Sequence, residues 1–565
     1  MSPIRKELSK SLAHALDHAL GDSLSPEELE SYFEVPREDK FGDLTTNVVL
    51  KLAKEKKRPP RPLAEEIAKH LDTHLNKYDP ALRERISKIA VEGPGFINFY
   101  YSNREIASVI PKIHEEGKRF GAPAPPKKKK ILLEFVSANP TGPLTVAHGR
   151  QAALGDSLAR ILTFCGHAVT KEYYNNDEGV QIETLGQSTE LRLKEKLNKQ
   201  TLELPENFYK GAYLVETAEK LISIKGEAAL KKMNEAERTA VCRDFAKEDI
   251  LEGIKKDLAD FDVSFDHYYS QAALAKSGKV EKTLEELKKR NVLYESEGAL
   301  WFRSTDFGDD KDRVLIKSDK TYTYFTPDIA YHEDKFKREF DELINILGPD
   351  HHGYIARLKA SQVALGHSAD QIHVLISQLV TLFEGTRQVR MSTRAGEFVT
   401  LRQILDEVGR DAGRFFFVMR KFDAHLDFDL ELAKSQTPEN PAFYIQYAHA
   451  RIESIKSQAA EKKLNISWSQ LNCLSKLSNP AEIQVLRLLS QFEEAVLGAE
   501  RTLEPYRLVP YLMDLAGAFH RFYTENRVIN DNAALTQARL MLAVSVQTVL
   551  RTGLELLGVS APLKM

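Results

Sequence analysis

A strand, a loop rich in glycine and proline, and a helix follow one another from residue 131 to residue 164, and this order constrains the fold more than any other feature. The strand is the apolar run ILLEFV at 131–136, and the loop is SANPTGP at 137–143. In the helix, one face carries Leu154, Leu158, Ile161 and Leu162. This order is typical of the opening of a nucleotide-binding α/β unit. The alternation resumes with LINILG at 343–348, a helix from about His352 and the apolar segment IHVLISQLV.

The sequence predicts four parts, and a length of 565 residues fits three or four domains of about 150 residues each. Residues 1–105 read as a small α+β domain that includes the strand GFINFYY, and 106–130 as a linker because GAPAPPKKKK cannot continue a helix. Residues 131–430 form the α/β domain, with a charged, mostly helical insertion at about 187–290. Strand signals vanish from 431 to 565, which predicts a helical bundle.

Composition excludes several classes of protein. With 79 Lys+Arg against 82 Asp+Glu, the net charge of −3 argues against a surface coated with phosphate-binding charge, although local basic grooves remain compatible with it. Hydrophobic residues at 42% exclude global disorder. The apolar stretch Leu540 to Leu550 is too short to span a bilayer, and the first twenty residues lack the pattern of a signal peptide, so we expect a cytoplasmic protein.

Cys165, Cys242 and Cys473 form no C-x-x-C pair, and we expect buried free thiols without a disulfide framework or a cysteine-based zinc site.

The loop after the first strand of the α/β domain ends at His148-Gly149-Arg150, which falls at the start of a helix. Free backbone N–H groups and the positive end of the helix dipole favour a phosphate there. An imidazole and a guanidinium at that place could stabilise charge on a phosphoryl group. For His148 alone, a capped or surface histidine is an equally good interpretation.

A second stretch, RQVRMSTRAGEFVTL at 387–401, carries several cations and ends its polar part at Gly396. It suits a mobile phosphate clamp, and an exposed basic loop is the alternative. Asp350-His351-His352 follows a strand, at the edge where ligands bind in open sheets. Because adjacent histidines point in different directions, we expect no metal site there. Asp328 and Glu134 supply carboxylates that could face one cationic group of a substrate, and Tyr324 lies four residues before Asp328.

Taken together, these motifs resemble the arginyl-tRNA synthetases, class I aminoacyl-tRNA synthetases of the bacterial type, over essentially the whole chain. ANPTGPLTVAH at 138–148 is similar to the family's His-Ile-Gly-His signature, RMSTR at 390–394 to its Lys-Met-Ser-Lys loop, and DAGRFF at 411–416 to the Asp-Ala-Leu-Arg motif. Further segments that resemble the family, in its order, are FGDLTTNVVLKLAK, GPGFINF, EYYNNDEGVQI, GPDHHGYIARLKA, HLDFDLELA and SAPLKM.

The chain departs from the family pattern in the motifs that handle phosphate. Thr145 stands where the signature has its first histidine, and Ala147 where it has glycine. In the second loop, Arg390 replaces the first lysine and Thr393 the second, while the place of a compensating lysine is Gly142. We assign the missing positive charge to Arg390, Arg394 or both.

The resemblance implies activation of arginine by ATP, giving arginyl-adenylate and pyrophosphate, and transfer to the terminal ribose of tRNA-Arg, with the 2′-hydroxyl attacking by class analogy. It implies catalytic roles for His148, Arg390, Ser392 and Arg394. It assigns ATP to Thr145, His148, Gly149, Asp350, His352 and Met391, and arginine to Glu134, Ser137, Asn139, Tyr324 and Asp328. It also implies tRNA contacts at Tyr447, His449, Arg451 and Met565. Mg²⁺ is expected with ATP, structural zinc is not, and the chain is expected to be a monomer.

Two other functions are compatible with the sequence. The departures at Thr145, Ala147 and Thr393 would suit a tRNA-binding protein that has lost catalysis, although the complete set of arginine-binding residues disfavours it. Another nucleotidylyl transferase on the same fold would have no use for the N-terminal domain and the long helical C-terminal part. Because fold alone does not decide function, the choice depends on the site.

Overall fold

The computed structural model describes residues 3–21, 24–36, 38–123, 128–351, 353–389 and 398–565. The N-terminal part is an α+β domain built from α1 (Pro3–Leu20), α2 (Pro26–Glu30), β1 (Phe33–Glu34), β2 (Leu44–Thr46), α3 (Val48–Lys56), α4 (Pro60–Tyr78), α5 (Pro80–Glu84), β3 (Ile86–Glu92) and β4 (Phe96–Tyr101). Its sheet is antiparallel, in the order β1-β2-β4-β3. Leu8 and Leu12 of α1 and Ile67 of α4 belong to one buried core with this sheet, as the sequence predicts for a small α+β domain.

Two helices occupy the first part of the predicted linker, α6 (Asn103–Ala107) and α7 (Val109–Glu116). Ile106, Ile110 and Ile113 are buried in the same core as the α/β domain and the bundle. The linker prediction therefore does not hold for this part of 106–130. The prediction relied on the prolines and lysines at 121–130. It overlooked the helical spacing of the preceding isoleucines, which places them on one buried face.

The α/β domain is centred on a five-stranded parallel sheet of β5 (Lys130–Glu134), β6 (Ala168–Asn175), β7 (His267–Ser270), β11 (Glu342–Leu347) and β12 (Ile372–Ile376). The strand order is β12-β11-β5-β6-β7. The predicted α/β fold is confirmed. Strand β7 lies inside the region predicted as a helical insertion, because a four-residue strand is too short to show its period among charged helices.

Helices cover and extend this sheet. They are α8 (Val146–Phe164), α9 (Val180–Asn198), α10 (Tyr213–Lys225), α11 (Glu227–Lys232), α12 (Glu235–Asp260), α13 (Gln271–Lys276), α14 (Lys279–Lys289), α15 (Phe325–Lys337), α16 (Tyr354–Ala364), α17 (Leu401–Glu407), α18 (Arg410–Val418) and α19 (Leu430–Lys434). Two small sheets join them, an antiparallel one of β8 (Leu293–Ser296), β9 (Ala299–Phe302) and β10 (Arg313–Ile316), and a mixed one of β13 (Val380–Glu384), β14 (Arg387–Gln388) and β15 (Leu426–Asp429).

The C-terminal part is a helical bundle, as predicted, of α20 (Pro441–Glu461), α21 (Pro480–Ser490), α22 (Phe492–Thr502), α23 (Leu508–Glu525) and α24 (Ala533–Leu556). The apolar stretch Leu540 to Leu550 belongs to the longer helix α24, which, contrary to the prediction, is long and apolar enough to cross a membrane; 67% of its apolar window is buried inside the protein, as in the central helix of a bundle. Short 3₁₀ turns complete the secondary structure at Asp39–Phe41, Gly117–Arg119, Ser304–Phe307, Pro349–His351, Ala369–Gln371, Leu471–Lys476 and Pro505–Arg507.

A buried ion pair ties the bundle to the α/β domain. The Arg414 guanidinium, on the helix of the DAGRFF motif, donates to the Asp156 carboxylate at 2.7 Å and to the Leu557 carbonyl at 3.2 Å. Both charged side chains are fully buried. The motif that resembles the family's Asp-Ala-Leu-Arg sequence therefore holds the end of α24 against helix α8.

Candidate functional site

A cavity of about 560 Å³ opens at the carboxyl edge of the parallel sheet, where β5 and β11 lie side by side. The chain order of the sheet reverses at this point, because β6 and β7 follow β5 on one side and β11 and β12 lie on the other. Such switch points are where open α/β sheets bind their ligands. Seven of the predicted site residues line this one cavity: Glu134, Ser137, Asn139, His148, Tyr324, Asp328 and Asp350.

The cavity wall begins with a strained turn at the end of β5. Val136 has a φ of 67° and Ser137 a φ of 41°, which is rare for residues with side chains and most of all for a β-branched one. The Ser137 N–H donates to the Phe135 carbonyl at 2.9 Å, the bond of a γ-turn. The Ser137 hydroxyl holds the turn, since it donates to Glu134 at 3.2 Å and accepts from the Tyr174 N–H at 3.0 Å. Strain of this kind persists where surrounding bonds fix it, and functional sites are its usual location.

His148 lies in the first turn of α8 and is fixed by its own helix cap. Its Nδ1 accepts the backbone N–H of Thr145 at 3.1 Å, so a neutral ring carries its hydrogen on Nε2. Burial lowers the pKa of His148 to about 4. The ring is therefore neutral at physiological pH and can offer a ligand one hydrogen-bond donor rather than a positive charge.

Arg150 does not serve the phosphate role that its position suggested. It is fully buried, and its guanidinium donates to the carbonyls of Gln378, Lys421 and Ala424 at 2.9, 2.8 and 2.8 Å. Burial lowers its pKa to about 10. The side chain ties α8 to the loops that precede β13 and β15, so its role is structural.

Asp328, near the start of helix α15, is a partly exposed acidic group that lines the cavity. Burial raises its pKa to about 6, although a hydrogen bond from the Tyr354 hydroxyl and the positive charges of Arg357 and Lys335 act in the opposite direction. Nearby Glu134 raises the pKa further. At neutral pH the carboxylate is ionised at a cost, which a cationic ligand would remove.

The other predicted arginine-binding residues occupy the rim of the cavity. Tyr324 is 86% exposed, so it stands at the mouth instead of packing against the carboxylates. The Asn139 amide donates to the Gln181 side chain at 2.6 Å. Both side chains can reorient toward a ligand, because neither is buried.

The predicted ATP-binding residues are divided by the structure. Asp350 lines the cavity, whereas Thr145 caps α8 and pairs with the backbone of Thr400. Gly149 faces the core, where a Cβ would lie 2.9 Å from Leu401, so packing explains its lack of a side chain. Arg390, Met391, Ser392, Arg394 and His352 lie outside the described residues.

The predicted tRNA-binding residues differ in exposure. His449 is fully buried, and its Nδ1 lies 2.9 Å from the carbonyl of Pro562, so it holds the C-terminal segment and is not placed to contact tRNA directly. Arg451 packs over the rings of Tyr447 and Tyr523, 4.7 Å from each centroid, and donates to the Tyr447 hydroxyl. Met565 is 53% exposed. The sequence does not distinguish the buried His449 from its exposed neighbours on α20, so it could not exclude His449 as a tRNA contact.

A buried polar network beneath the cavity escaped the sequence analysis. Lys335 donates to Glu134 and, at 2.9 Å, to the Asn345 side chain, whose amide lies 2.9 Å from His332 Nε2. Burial lowers the pKa of His332 to about 3, so this histidine is neutral. Tyr354 lay within a quoted family segment without being singled out. The sequence signal that could have identified Tyr354 is its position at the start of the helix that follows β11, because that helix begins at the sheet edge where the cavity opens.

In the described parts of the chain, no group of three or more histidine, cysteine, aspartate or glutamate side chains is arranged to hold a metal ion. All three cysteines are buried, as predicted, and burial raises the pKa of Cys165 and of Cys242 to about 12. The side chains that line the cavity are carboxylates and hydrogen-bonding groups, which suit a polar, cationic ligand.

Known proteins share this architecture over the whole chain. Three family models match it in order: "Arginyl tRNA synthetase N terminal domain" at residues 6–101, "tRNA synthetases class I (R), catalytic domain" at 109–420 and "DALR anticodon binding domain" at 445–565. The chain is 47% identical to the arginine–tRNA ligase of Desulfosudis oleivorans over 94% of each protein. It is 46% identical to that of Geobacillus kaustophilus over 100% of this chain and 99% of the relative.

A solved structure supports the fold. The arginyl-tRNA synthetase of Thermus thermophilus superposes with a TM-score of 0.74 at 24% identity, covering 99% of this chain and all of the other. The resemblance read from the motifs is confirmed by these matches, and the chain belongs to the arginyl-tRNA synthetase family.

Proposed function

We propose that the chain joins L-arginine to the 3′-terminal adenosine of tRNA-Arg, through an arginyl-adenylate made from arginine and ATP. The observation that carries this proposal is one cavity that combines two carboxylates, Glu134 and Asp328, with the start of helix α8 and its neutral His148. The carboxylates suit a guanidinium, and the helix start suits a phosphate.

Arginine recognition rests on the acidic end of the cavity. A guanidinium presents its donors in a fixed planar fork, which a carboxylate can accept in pairs and an ammonium cannot imitate. Asp328 is ionised at a cost in the empty cavity, and a guanidinium beside it restores the attraction that burial removed. We assign the α-amino or carboxylate end of the amino acid to Asn139; Ser137 and Tyr324 line the same cavity.

In the activation step, the arginine carboxylate attacks the α-phosphorus of ATP, a new C–O–P linkage forms, and pyrophosphate leaves with the electrons of the broken P–O bond. No protein nucleophile takes part. The protein positions the two substrates and stabilises negative charge on the phosphate oxygens. The His148 Nε2–H and the backbone N–H groups at the start of α8 are the described donors for this role. We assign to Arg390 and Arg394 the positive charges that neutralise the departing pyrophosphate, with Ser392 between them in the sequence. We expect Mg²⁺ to accompany ATP.

In the transfer step, a hydroxyl of the terminal ribose attacks the arginyl carbonyl, and AMP leaves. We assign tRNA contacts to the N-terminal domain, to the bundle at Tyr447 and Arg451, and to the exposed Met565. Stacked aromatic rings beside a guanidinium are suited to unpaired bases. The proposal includes action in the cytoplasm, where translation takes place, and a monomeric chain.

The test is arginine-dependent exchange of label between pyrophosphate and ATP, measured with and without tRNA that accepts arginine. We expect exchange with the wild-type chain, and a loss of about 10²-fold or more in His148→Ala, because one donor to a developing oxyanion is worth about 3 kcal/mol. Lysine in place of arginine is the control, and should support none.

Exchange only in the presence of tRNA would show that the cavity is completed by tRNA. Exchange without it would show that arginine activation is independent. A chain that binds tRNA but catalyses no exchange in either condition would contradict the proposal and favour a binding protein without catalysis.

A further inference from the structure

Lys335 is a fully buried cation that reaches the floor of the cavity from helix α15. Its ammonium donates to the Glu134 carboxylate and, at 2.9 Å, to the side-chain oxygen of Asn345, and it lies 4.2 Å from the ring centroid of Tyr331. Glu134 and Asn345 are paired neighbours on strands β5 and β11. Lys335 therefore sits under the seam at which the cavity opens.

The cavity places two carboxylates against one ligand, and this arrangement is costly without a counter-charge. Two buried carboxyl groups that share a site repel each other, and one of them tends to keep its proton. A protonated carboxyl would offer a guanidinium a dipole in place of a full negative charge. The site therefore needs a cation that stabilises both carboxylates without filling the space of the ligand.

The groups that face Asp328 come from four elements, and few of them are cations. They are Lys335 and His332 on α15, Tyr354 and Arg357 on α16, Glu134 on β5 and Tyr174 on β6. His332 is neutral. Arg357 is partly exposed and packs over the rings of Tyr354 and Phe325, at 4.8 and 5.6 Å from their centroids. Lys335 is the fully buried cation of this set, and the one bonded directly to Glu134.

We propose that Lys335 is a positioning residue for arginine, because its ammonium pairs with Glu134 and so offsets the repulsion that Glu134 exerts on the Asp328 carboxylate, which faces the substrate. This inference rests on the proposed function. Without a ligand, Lys335, Glu134 and Asp328 together carry one net negative charge, and the partly exposed Arg357 is the second cation that acts on Asp328. Packing alone does not explain the lysine, because replacing both partners of a buried ion pair by well-packed apolar residues is often neutral for stability.

The test is the pH profile of kcat/KM for arginine in pyrophosphate exchange, with saturating ATP and tRNA, because its acidic limb reports groups of the free enzyme. The variants are Lys335→Met, Lys335→Gln and Lys335→Arg, with Lys337→Met as a matched control on the same helix. Lys337 is 59% exposed and pairs with Glu333 outside the cavity. Thermal unfolding of each variant separates loss of folded protein from loss of recognition.

We expect the acidic limb to move from about pH 6 to higher pH by about one unit in Lys335→Met and Lys335→Gln, which is about a fivefold loss of kcat/KM at pH 6 relative to the loss at pH 8.5. The effect should fall mainly on KM for arginine. Lys335→Arg should keep the wild-type limb, and Lys337→Met should match wild type throughout.

Glutamine can keep the hydrogen bonds of Lys335 but not its charge. A Lys335→Gln variant with the wild-type pH limb would therefore overturn the inference and leave Lys335 a hydrogen-bonding residue. An equal loss of kcat/KM at every pH in all three variants would overturn it as well. Failure of the proposed function is a different result, namely no exchange in wild type at any pH.

Discussion

The Nδ1 atom of His148 lies 3.1 Å from the backbone N–H of Thr145 and accepts its hydrogen bond. This bond completes the cap of helix α8 and determines which nitrogen of the ring carries hydrogen. Thr145 occupies the place of a histidine in the family signature, and its part in the described structure is to hold the remaining imidazole. His148 thus fixes the helix start through Nδ1 and offers a donor to the cavity through Nε2.

We expect His148 to act as a neutral donor across the physiological pH range. Because burial lowers its pKa to about 4, the imidazole remains uncharged from pH 6 to 9, and its titration should leave no limb in the pH profile of kcat for pyrophosphate exchange over that range. His148→Gln, whose amide can place an N–H near the Nε2 position, should lose less activity than His148→Ala. A limb near pH 6.5 that disappears in His148→Gln would contradict this prediction and indicate a charged imidazole.

The sequence was sufficient for the α/β fold and for the sheet edge at which the cavity opens, because both depend on local patterns. The strand ILLEFV, its turn-rich loop and the following helix lead directly to β5, to the strained turn at Val136 and to α8. Parallel strands bring their carboxyl ends to one edge, so residues after β5 and β11 had to meet there.

Charge partners could not be predicted, because they depend on which side chains meet across long distances in the chain. Arg150 follows His148 by two residues and looked equally suited to phosphate, yet a helix turns by about 200° over two residues, and Arg150 faces the interior. Lys335 lies 201 residues from Glu134, and no spacing rule connects the two. His449 was likewise indistinguishable from exposed neighbours until its contact with Pro562 was seen.

Arg150 should contribute to stability and not to catalysis. In Arg150→Lys, one ammonium cannot satisfy the carbonyls of Gln378, Lys421 and Ala424 together, and leaving buried acceptors unpaired should cost roughly 2 to 4 kcal/mol of unfolding free energy. Denaturant unfolding measures the loss, and Arg61→Lys, at an exposed ion pair, is the control. Exchange activity per folded molecule should stay within about threefold of wild type. A fall of 30-fold or more in a folded variant would restore the phosphate role.

Asp328→Asn should make the protein more stable at pH 8 while removing its use of arginine. The folded-state pKa of Asp328, about 6, lies above the ordinary 3.8, so the unfolded chain releases this proton more easily. The cost to the folded state is complete above pH 6, at most about 3 kcal/mol, and disappears as the pH falls from 6 toward 4.

The melting temperature of Asp328→Asn should therefore exceed that of wild type at pH 8, and the difference should shrink at pH 5. The control is Asp306→Asn, at an exposed carboxylate, which should show no such dependence on pH. A constant difference at both pH values would mean that the Asp328 carboxyl carries no burial cost.

Gly558 should be the most sensitive of the helix-ending glycines, because the Arg414 guanidinium occupies the space of a side chain. Gly558 has a φ of 68°, and a Cβ built on it would lie 2.0 Å from an Arg414 nitrogen. Gly308 ends the 3₁₀ turn Ser304–Phe307 in the left-handed region, with a φ of 95°, and has no atom within 4 Å of such a Cβ. Gly308→Ala should thus lose only the backbone cost of about 1 kcal/mol, whereas Gly558→Ala should lose that and part of the bond between Arg414 and Asp156. Denaturant unfolding should show Gly558→Ala to be less stable than Gly308→Ala by about 2 kcal/mol or more, roughly the cost of disturbing a buried charge pair. Equal losses in the two variants would mean that Arg414 moves aside freely, and that the buried ion pair does not hold the end of α24 against helix α8.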